Sequence, residues 1–203
     1  MKPTLVIMVK EPRAGRVKTR LGREIGMPAA AWWFRHQVAR LLRRIEDPRW
    51  RVILAVAPDR AVSSRAWPVH VRRVPQGQGN LGDRMARQMR NMPPGPVCVI
   101  GADIPDVARP HIARAFAALG AHDTVFGPAP DGGYWLVGMK RSRALPAALF
   151  RGVRWSTHHA LADSIASVSG HRVSLVDMLR DVDTAADLSA PQARFRHDAV
   201  SRL

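Results

Sequence analysis

"TLVIMVKEPRAGRVKTRLG" (Thr4–Gly22) sets the uncharged run Thr4–Val9 directly against a connection carrying five cations, Lys10, Arg13, Arg16, Lys18 and Arg20. A run with no polar face suits a strand covered on both sides, as in a parallel sheet sandwiched between helices. The cations that follow repel one another at such spacing, so they are expected where an anion has to be held. Ligands of open α/β sheets bind beyond the carboxyl ends of the strands, which is where this connection would lie.

The same pattern continues along the chain. Strands are predicted at 4–9, 51–57, 69–74, 97–103, 123–129, 134–139 and 172–177. Between them, 29–45 carries Ala30, Phe34, Val38, Leu41, Leu42 and Ile45 on one helical stripe, with arginines around it. In 81–91, Leu81, Met85 and Met89 recur every four residues and are read as core. Further helices are predicted at 109–119, 157–168 and 184–196, and Trp32 and Trp33 are expected in the core. The alternation of strands and helices predicts an α/β domain with a mainly parallel sheet.

A length of 203 residues suits one domain, and an apolar share of 46% is that of an ordinary globular protein. Cys98 stands alone inside an apolar run and is read as a buried small hydrophobe. Lys10 and Glu11 interrupt the opening apolar stretch too early for a signal peptide, and no run has the length of a membrane span. A cytoplasmic protein is therefore expected. The net charge of +16 raises the question of nucleic acid, but 28 of the 32 basic residues are arginines scattered through every element. Without a reader motif, that scatter argues against a nucleic-acid groove.

Chemistry is concentrated where strands end. The first connection is not a Walker loop, since Val17 rather than glycine precedes Lys18-Thr19. Gly15 can still bring backbone close to a phosphate, with Lys18 and Arg20 supplying charge-assisted bonds. "GADIP" (101–105) places Asp103 at a strand exit, suited either to capping a turn or to holding Mg²⁺ against phosphate oxygens. "QGQGNLGDRM" (76–85) is a glycine-rich turn opening a helix, whose free N–H groups suit a base edge or a phosphate, while Asn80 and Asp83 suit capping. "PAPDGGYWLVG" (128–138) reads as a hairpin whose glycines also let a substrate approach backbone, with Tyr134 and Trp135 as pocket walls. "DVDT" (181–184) offers Asp181 and Asp183 as second ligands of the same metal. His158 and His159 in "RWSTHH" (154–159) would diverge by about 100° on a helix and are read as structural.

Taken in order, "KEPRAGRVKTRLG", "QGQGNLGDRM", "GADIP", "GPAPDGGYWLVG" and "DVDT" resemble a bacterial family of glycosyltransferase-A-like proteins in the nucleotide-diphospho-sugar transferase superfamily. The pattern is similar to the 2-phospholactate guanylyltransferases and, more distantly, to the molybdenum-cofactor guanylyltransferases. The resemblance implies a three-layer αβα sandwich forming one domain over 1–203, with a nucleotide-binding first half (about 1–105) and an acceptor-side second half (about 106–203). It implies catalytic roles for Lys18, Arg20 and Asp103, with Lys18 and Arg20 facing nucleotide phosphates. Asp103 and Asp183 would bind Mg²⁺ or Mn²⁺. Lys10, Arg13, Gly15, Gly79 and Gly82 would lie on the nucleotide side, and Asp131, Gly132, Gly133 and Tyr134 on the acceptor side. The sequence departs from the Asp-x-Asp motif of many glycosyltransferases, because the central strand exits as Asp103-Ile104-Pro105.

The expected activity is metal-dependent transfer from a nucleotide, with nucleotidyl transfer from a nucleoside triphosphate favoured over glycosyl transfer from a nucleotide sugar. Lys18 and Arg20 would stabilise the departing pyrophosphate, and Lys10 and Arg13 would contribute field. The acceptor is a small molecule. The reading from another class is a non-catalytic binder of nucleotide or nucleic acid, marked by affinity that collapses with salt.

Overall fold

The computed structural model describes residues 1–189 and contains seven strands, six α-helices and one short 3-10 helix. The strands are β1 (Thr4–Lys10), β2 (Arg51–Ala57), β3 (Arg72–Pro75), β4 (Val97–Gly101), β5 (Thr124–Pro128), β6 (Tyr134–Met139) and β7 (Val173–Leu175). They form one sheet in the order β3-β2-β1-β4-β6-β5-β7. β1 pairs in parallel with both β2 and β4, while β6 alone runs antiparallel to its neighbours β4 and β5. The sheet is thus mainly parallel, with the hairpin at 128–134 inserting the single reversed strand.

Helices α1 (Thr19–Ile25), α2 (Met27–Ile45), α3 (Leu81–Asn91), α4 (Arg109–Ala121), α5 (Ala160–Ala166) and α6 (Ala185–Ser189) complete the element set. β1 shows why the layers are three. Leu5, Ile7 and Val9 pack with Phe34, Val38 and Leu41 of α2 and with Ile112 and Leu119 of α4. Val6, on the opposite face, joins Met85 and Met89 of α3. A strand alternates its side chains between faces, so a continuous apolar run feeds both cores at once. Cys98 is fully buried within the first of these cores, and burial pushes its thiol well above its ordinary range.

Several elements differ from their sequence-based placement. The cationic connection is not all loop, because Thr19–Ile25 forms α1 against α2, with buried Leu21 and Gly22 on its inner side. β3 begins three residues later than expected because Val69 and His70 are solvent-exposed. Trp32 is not a core residue. It is 65% exposed and stacks on His36, one helical turn away, while Trp33 is only partly buried. Leu81 is likewise exposed, although Met85 and Met89 on its stripe are buried. The stretch 190–196 of the last predicted helix lies outside the described residues. Among the described residues, no helix is long and apolar enough to cross a membrane.

The hairpin tip is fixed by Gly132, which has φ +84° and accepts a hydrogen bond from the Leu161 amide at 3.0 Å. A Cβ there would lie 2.3 Å from the His158 carbonyl oxygen, whereas one at Gly15, φ +73°, would meet open space. Both changes force an unfavourable left-handed conformation worth about 1–2 kcal/mol, but only Gly132→Ala also drives backbone against backbone. Thermal unfolding should show Gly132→Ala losing clearly more than the few degrees expected of Gly15→Ala. Equal losses would mean that the tip is not held against 158–161.

Candidate active site

The cationic connection folds back on itself before it reaches the sheet edge. Arg13 is paired with Glu11 at 2.7 Å, and the Glu11 amide donates to the Ala57 carbonyl at the end of β2. Val17 is buried and anchors the loop in the core between α2 and the sheet. Lys18 follows in the left-handed conformation, φ 45° and ψ 48°, as the residue that starts α1. A non-glycine residue adopts this geometry at a cost, and such strain collects at functional positions.

That turn sends the Lys18 side chain inward, where it is only 6% exposed. Its ammonium lies 2.5 Å from Asp103 and 2.8 Å from Asp183. Arg20, mostly exposed, reaches the other oxygen of Asp183 at 3.1 Å. Burial alone would lower the Lys18 pKa. The charge of Asp103, with the hydrogen bonds that the ammonium donates to both aspartates, outweighs burial and holds it above its ordinary value.

Asp183 arrives from the far end of the chain. The Val182 amide donates to the Asp103 carbonyl at 3.1 Å, and the Val182 side chain is buried. Residues i and i+2 of an extended segment share a side, so turning Val182 inward brings Asp181 and Asp183 to one face. Asp187 fixes the segment by accepting from the amides of Asp183 and Thr184 and from the Thr184 hydroxyl. Asp103, Asp181 and Asp183 each offer a carboxylate oxygen, and these atoms lie within 4.8 Å of one another. The Asp-x-Asp spacing absent after β4 is therefore present at 181–183, completed by Asp103.

Three hard oxygen donors so close together suit Mg²⁺ or Mn²⁺. The charge count agrees. Two cations face three carboxylates here, in a chain whose net charge is +16. Lys18 holds the place of counter-ion to Asp103 and Asp183. Asp181 has no such ion-pair partner among the described residues: burial first, then the charges of Asp103 and Asp183, push its pKa up to about 6.

A cleft of about 210 Å³ opens beside this cluster, with Asp103, Asp131, Gly133, Tyr134 and Asp181 among its lining residues. Asp131 accepts from the Gly133 amide at 2.9 Å, an Asx turn that shapes the hairpin tip. Tyr134 hydrogen-bonds through its hydroxyl to Ser164 at 3.1 Å. Gly132 is not in the lining, being pressed against the His158 backbone. Of the residues expected on the nucleotide side, Lys10 and Gly15 are exposed and Arg13 is turned to Glu11. Gly79, φ +104°, precedes the capping box in which Asn80 and Asp83 accept from each other's amides. Gly82 is buried, and a Cβ there would crowd Phe150 and Trp155. His158 and His159 stack on each other at 3.8 Å.

The structure thus joins Lys18, Arg20, Asp103 and Asp183 in one cluster, and Asp131, Gly133 and Tyr134 in the adjoining cleft. It adds Met8, Leu81, Met85 and Trp155 to that cleft. Leu81 and Met85 carry a core-like periodicity, and nothing in "RWSTHH" sets Trp155 apart, so sequence offers no signal for them.

Because the Asp181 pKa is raised from 3.8 to about 6, ionising it costs the folded state stability as pH rises through that interval. Asp181→Asn removes the cost. Asp181 is only partly buried, so solvent screening cuts that cost to about 1 kcal/mol, and chelator-treated Asp181→Asn protein should melt about 2–4 °C above the parent near pH 7.5 and no higher near pH 4. The same difference at both pH values would contradict this environment for Asp181.

The family model described as "uncharacterized protein conserved in bacteria (DUF2064)" matches residues 41–157, more than half of the chain. No curated protein matches the sequence significantly. Among solved structures, a protein from Desulfovibrio desulfuricans G20, provisionally described as a nucleotide-diphospho-sugar transferase, superposes with a TM-score of 0.82 at 28% identity. That match covers 92% of this chain and 84% of the other. The 4-diphosphocytidyl-2C-methyl-D-erythritol synthase of Anaerococcus prevotii DSM 20548 gives 0.57 at 11% identity, covering 92% and 94% of the two chains. Rv0371c of Mycobacterium tuberculosis H37Rv, in complex with manganese, gives 0.54 at 18% identity, covering 93% and 96%. The fold is that of the nucleotide-diphospho-sugar transferases, and the chain belongs to the DUF2064 family.

Proposed function

We propose that this protein is a divalent-metal-dependent transferase that takes its donor group from a nucleotide. The observation that carries the reading is the convergence of Asp103, Asp181 and Asp183 with Lys18, beyond the parallel strands and beside a cleft. Asp103, Asp181 and Asp183 are the residues that would hold Mg²⁺ or Mn²⁺. Such an ion, when bound, neutralises charge developing on the donor's phosphate oxygens.

The chain's own residues supply the rest. Lys18, now paired with Asp103 and Asp183, would be available to a departing phosphate if those carboxylates held a divalent ion. Arg20 stands beside it on the first turn of α1, exposed enough to reach the same group. Gly79 and the turn that opens α3 would receive the rest of the nucleotide, and the cleft beyond Asp103 would receive the acceptor. Catalysis of this kind rests on positioning and charge stabilisation rather than on covalent help from the protein.

Glycosyl transfer from a nucleotide sugar is the better-supported chemistry. Five cations in the first connection would suit a triphosphate, but Arg13 is paired with Glu11, and of the others only Lys18 and Arg20 stand at the acidic cluster, where the donor's phosphates would lie. What remains suits a diphosphate leaving group. The 28%-identical structure described as a nucleotide-diphospho-sugar transferase supports the same choice. Nucleotidyl transfer is the second reading. It is favoured by Lys10 and Arg16, which form no ion pair among the described residues and could meet a third phosphate.

Thermal shift with nucleotide sugars and nucleoside triphosphates, each with and without Mn²⁺, tests the proposal. A true donor at about 100 times its dissociation constant adds about 2.7 kcal/mol, or roughly 5–10 °C for a domain of this size. Stabilisation should require the metal, and turnover should fall by about 10²-fold or more in Asp103→Ala and Asp183→Ala. Full metal-dependent turnover in either variant would overturn the assignment.

A further inference from the structure

The cleft beside the acidic cluster has a composition unlike the rest of the surface. In a chain with 32 lysines and arginines, no lysine, arginine or histidine is among the described residues that line it. Its charged groups are all carboxylates: Asp103, Asp131 and Asp181. Its remaining walls are largely apolar, with Leu81, Met85, Tyr134 and Trp155 facing the same space.

These walls are built rather than incidental. Trp155 sits edge-on to Tyr134 and Phe150, with ring centroids 6.4 and 6.0 Å away. Gly82 leaves the room that Trp155 occupies, since a Cβ there would lie 2.8 Å from its indole ring. Ser156, next in sequence, takes φ +60°, a left-handed conformation that a non-glycine residue adopts at a cost. The Tyr134 hydroxyl is bonded to Ser164, so the cleft receives its ring.

We propose that this cleft binds the acceptor, and that the acceptor is an uncharged molecule carrying hydroxyl groups on a flat apolar body, such as an aryl glycoside or a similar polyol. The proposal rests on the transferase reading above and specifies the second substrate of that site. An acceptor bearing a phosphate or carboxylate would meet Asp131, which lies outside the triad that would hold the ion and faces no lysine, arginine or histidine among the described lining residues, a repulsion that disfavours it. A cationic acceptor would meet the divalent ion held by the triad. A purely aliphatic one would strip water from three carboxylates without replacing its hydrogen bonds. Hydroxyl groups satisfy the carboxylates, and the face of a ring satisfies Trp155. The acceptor nucleophile is then a hydroxyl oxygen: it forms the new bond as the donor–phosphate bond breaks, the phosphate leaves with that electron pair, and the hydroxyl proton passes to a carboxylate or water.

A matched pair of probes tests this directly. Phenyl β-D-glucoside and phenyl β-D-glucuronide differ only in a carboxylate, and each is titrated into the Mg²⁺-saturated protein without donor, followed by saturation-transfer NMR. The glucoside should bind about tenfold or more tightly than the glucuronide. Trp155→Ala should weaken glucoside binding about tenfold, while Trp155→Phe, which keeps a flat face, should hold it within about threefold. Mn²⁺ affinity should be unchanged in both variants, which shows them folded around an intact acidic cluster. Equal or tighter binding of the glucuronide, no binding of the glucoside, or no effect of Trp155→Ala would each overturn the proposal. Glucoside binding that persists in a protein stabilised by no nucleotide would strike the transferase reading instead.

Discussion

Because β1 and β4 run side by side in the same direction, the chain leaving each of them emerges at one edge of the sheet. From β1 comes the loop that ends in Lys18, and from β4 comes Asp103. Everything at the site depends on that adjacency. It puts an ammonium and a carboxylate within contact distance although they are far apart in sequence. The Val182 amide, bonded to the Asp103 carbonyl, then brings two more carboxylates of the C-terminal segment to the same place. Parallel strands achieve this because their crossovers leave the carboxyl edge free for ligands.

A buried lysine among three aspartates is a charge balance with an exchangeable partner. Lys18 compensates two of the carboxylates and leaves the third, Asp181, with a raised pKa. Two cations against three carboxylates leave the cluster with a negative charge that a divalent ion would satisfy. This answers the puzzle of the cationic connection only in part. The cations nearest the site serve first to hold acidic residues together in a strongly basic protein, and the anion they were expected to meet comes after.

Much of the fold was legible in the sequence because the physics was local. The uninterrupted apolar runs marked the central strands, and the Asp131-Gly132-Gly133 turn marked the hairpin, whose second strand lies at the expected 134–139. The stripe from Ala30 to Ile45 is buried at every expected position. What escaped was set by tertiary contacts. α1 is seven residues long and begins at a left-handed lysine, so neither period nor cap announced it. Val69 alternates like a strand residue yet stands in solvent, and Trp32 lies off the buried stripe despite its size. At the site, strand exits pointed to Lys18, Asp103 and the 181–183 pair, but not to their mutual pairing. The cleft walls Leu81 and Trp155 were invisible, because an apolar residue at a pocket and one in a core look alike in sequence.

Lys18 sits at Asp103 and Asp183 in the place that a divalent ion would take, so such an ion should displace it. A crystal structure with Mn²⁺ and a nucleotide sugar, with anomalous scattering recorded for manganese, tests it most directly. The account expects an anomalous peak bounded by Asp103, Asp181 and Asp183, with the Lys18 ammonium moved from Asp103 onto a donor phosphate. A manganese peak elsewhere, or a bound nucleotide with Lys18 still paired to Asp103 and Asp183, would contradict it.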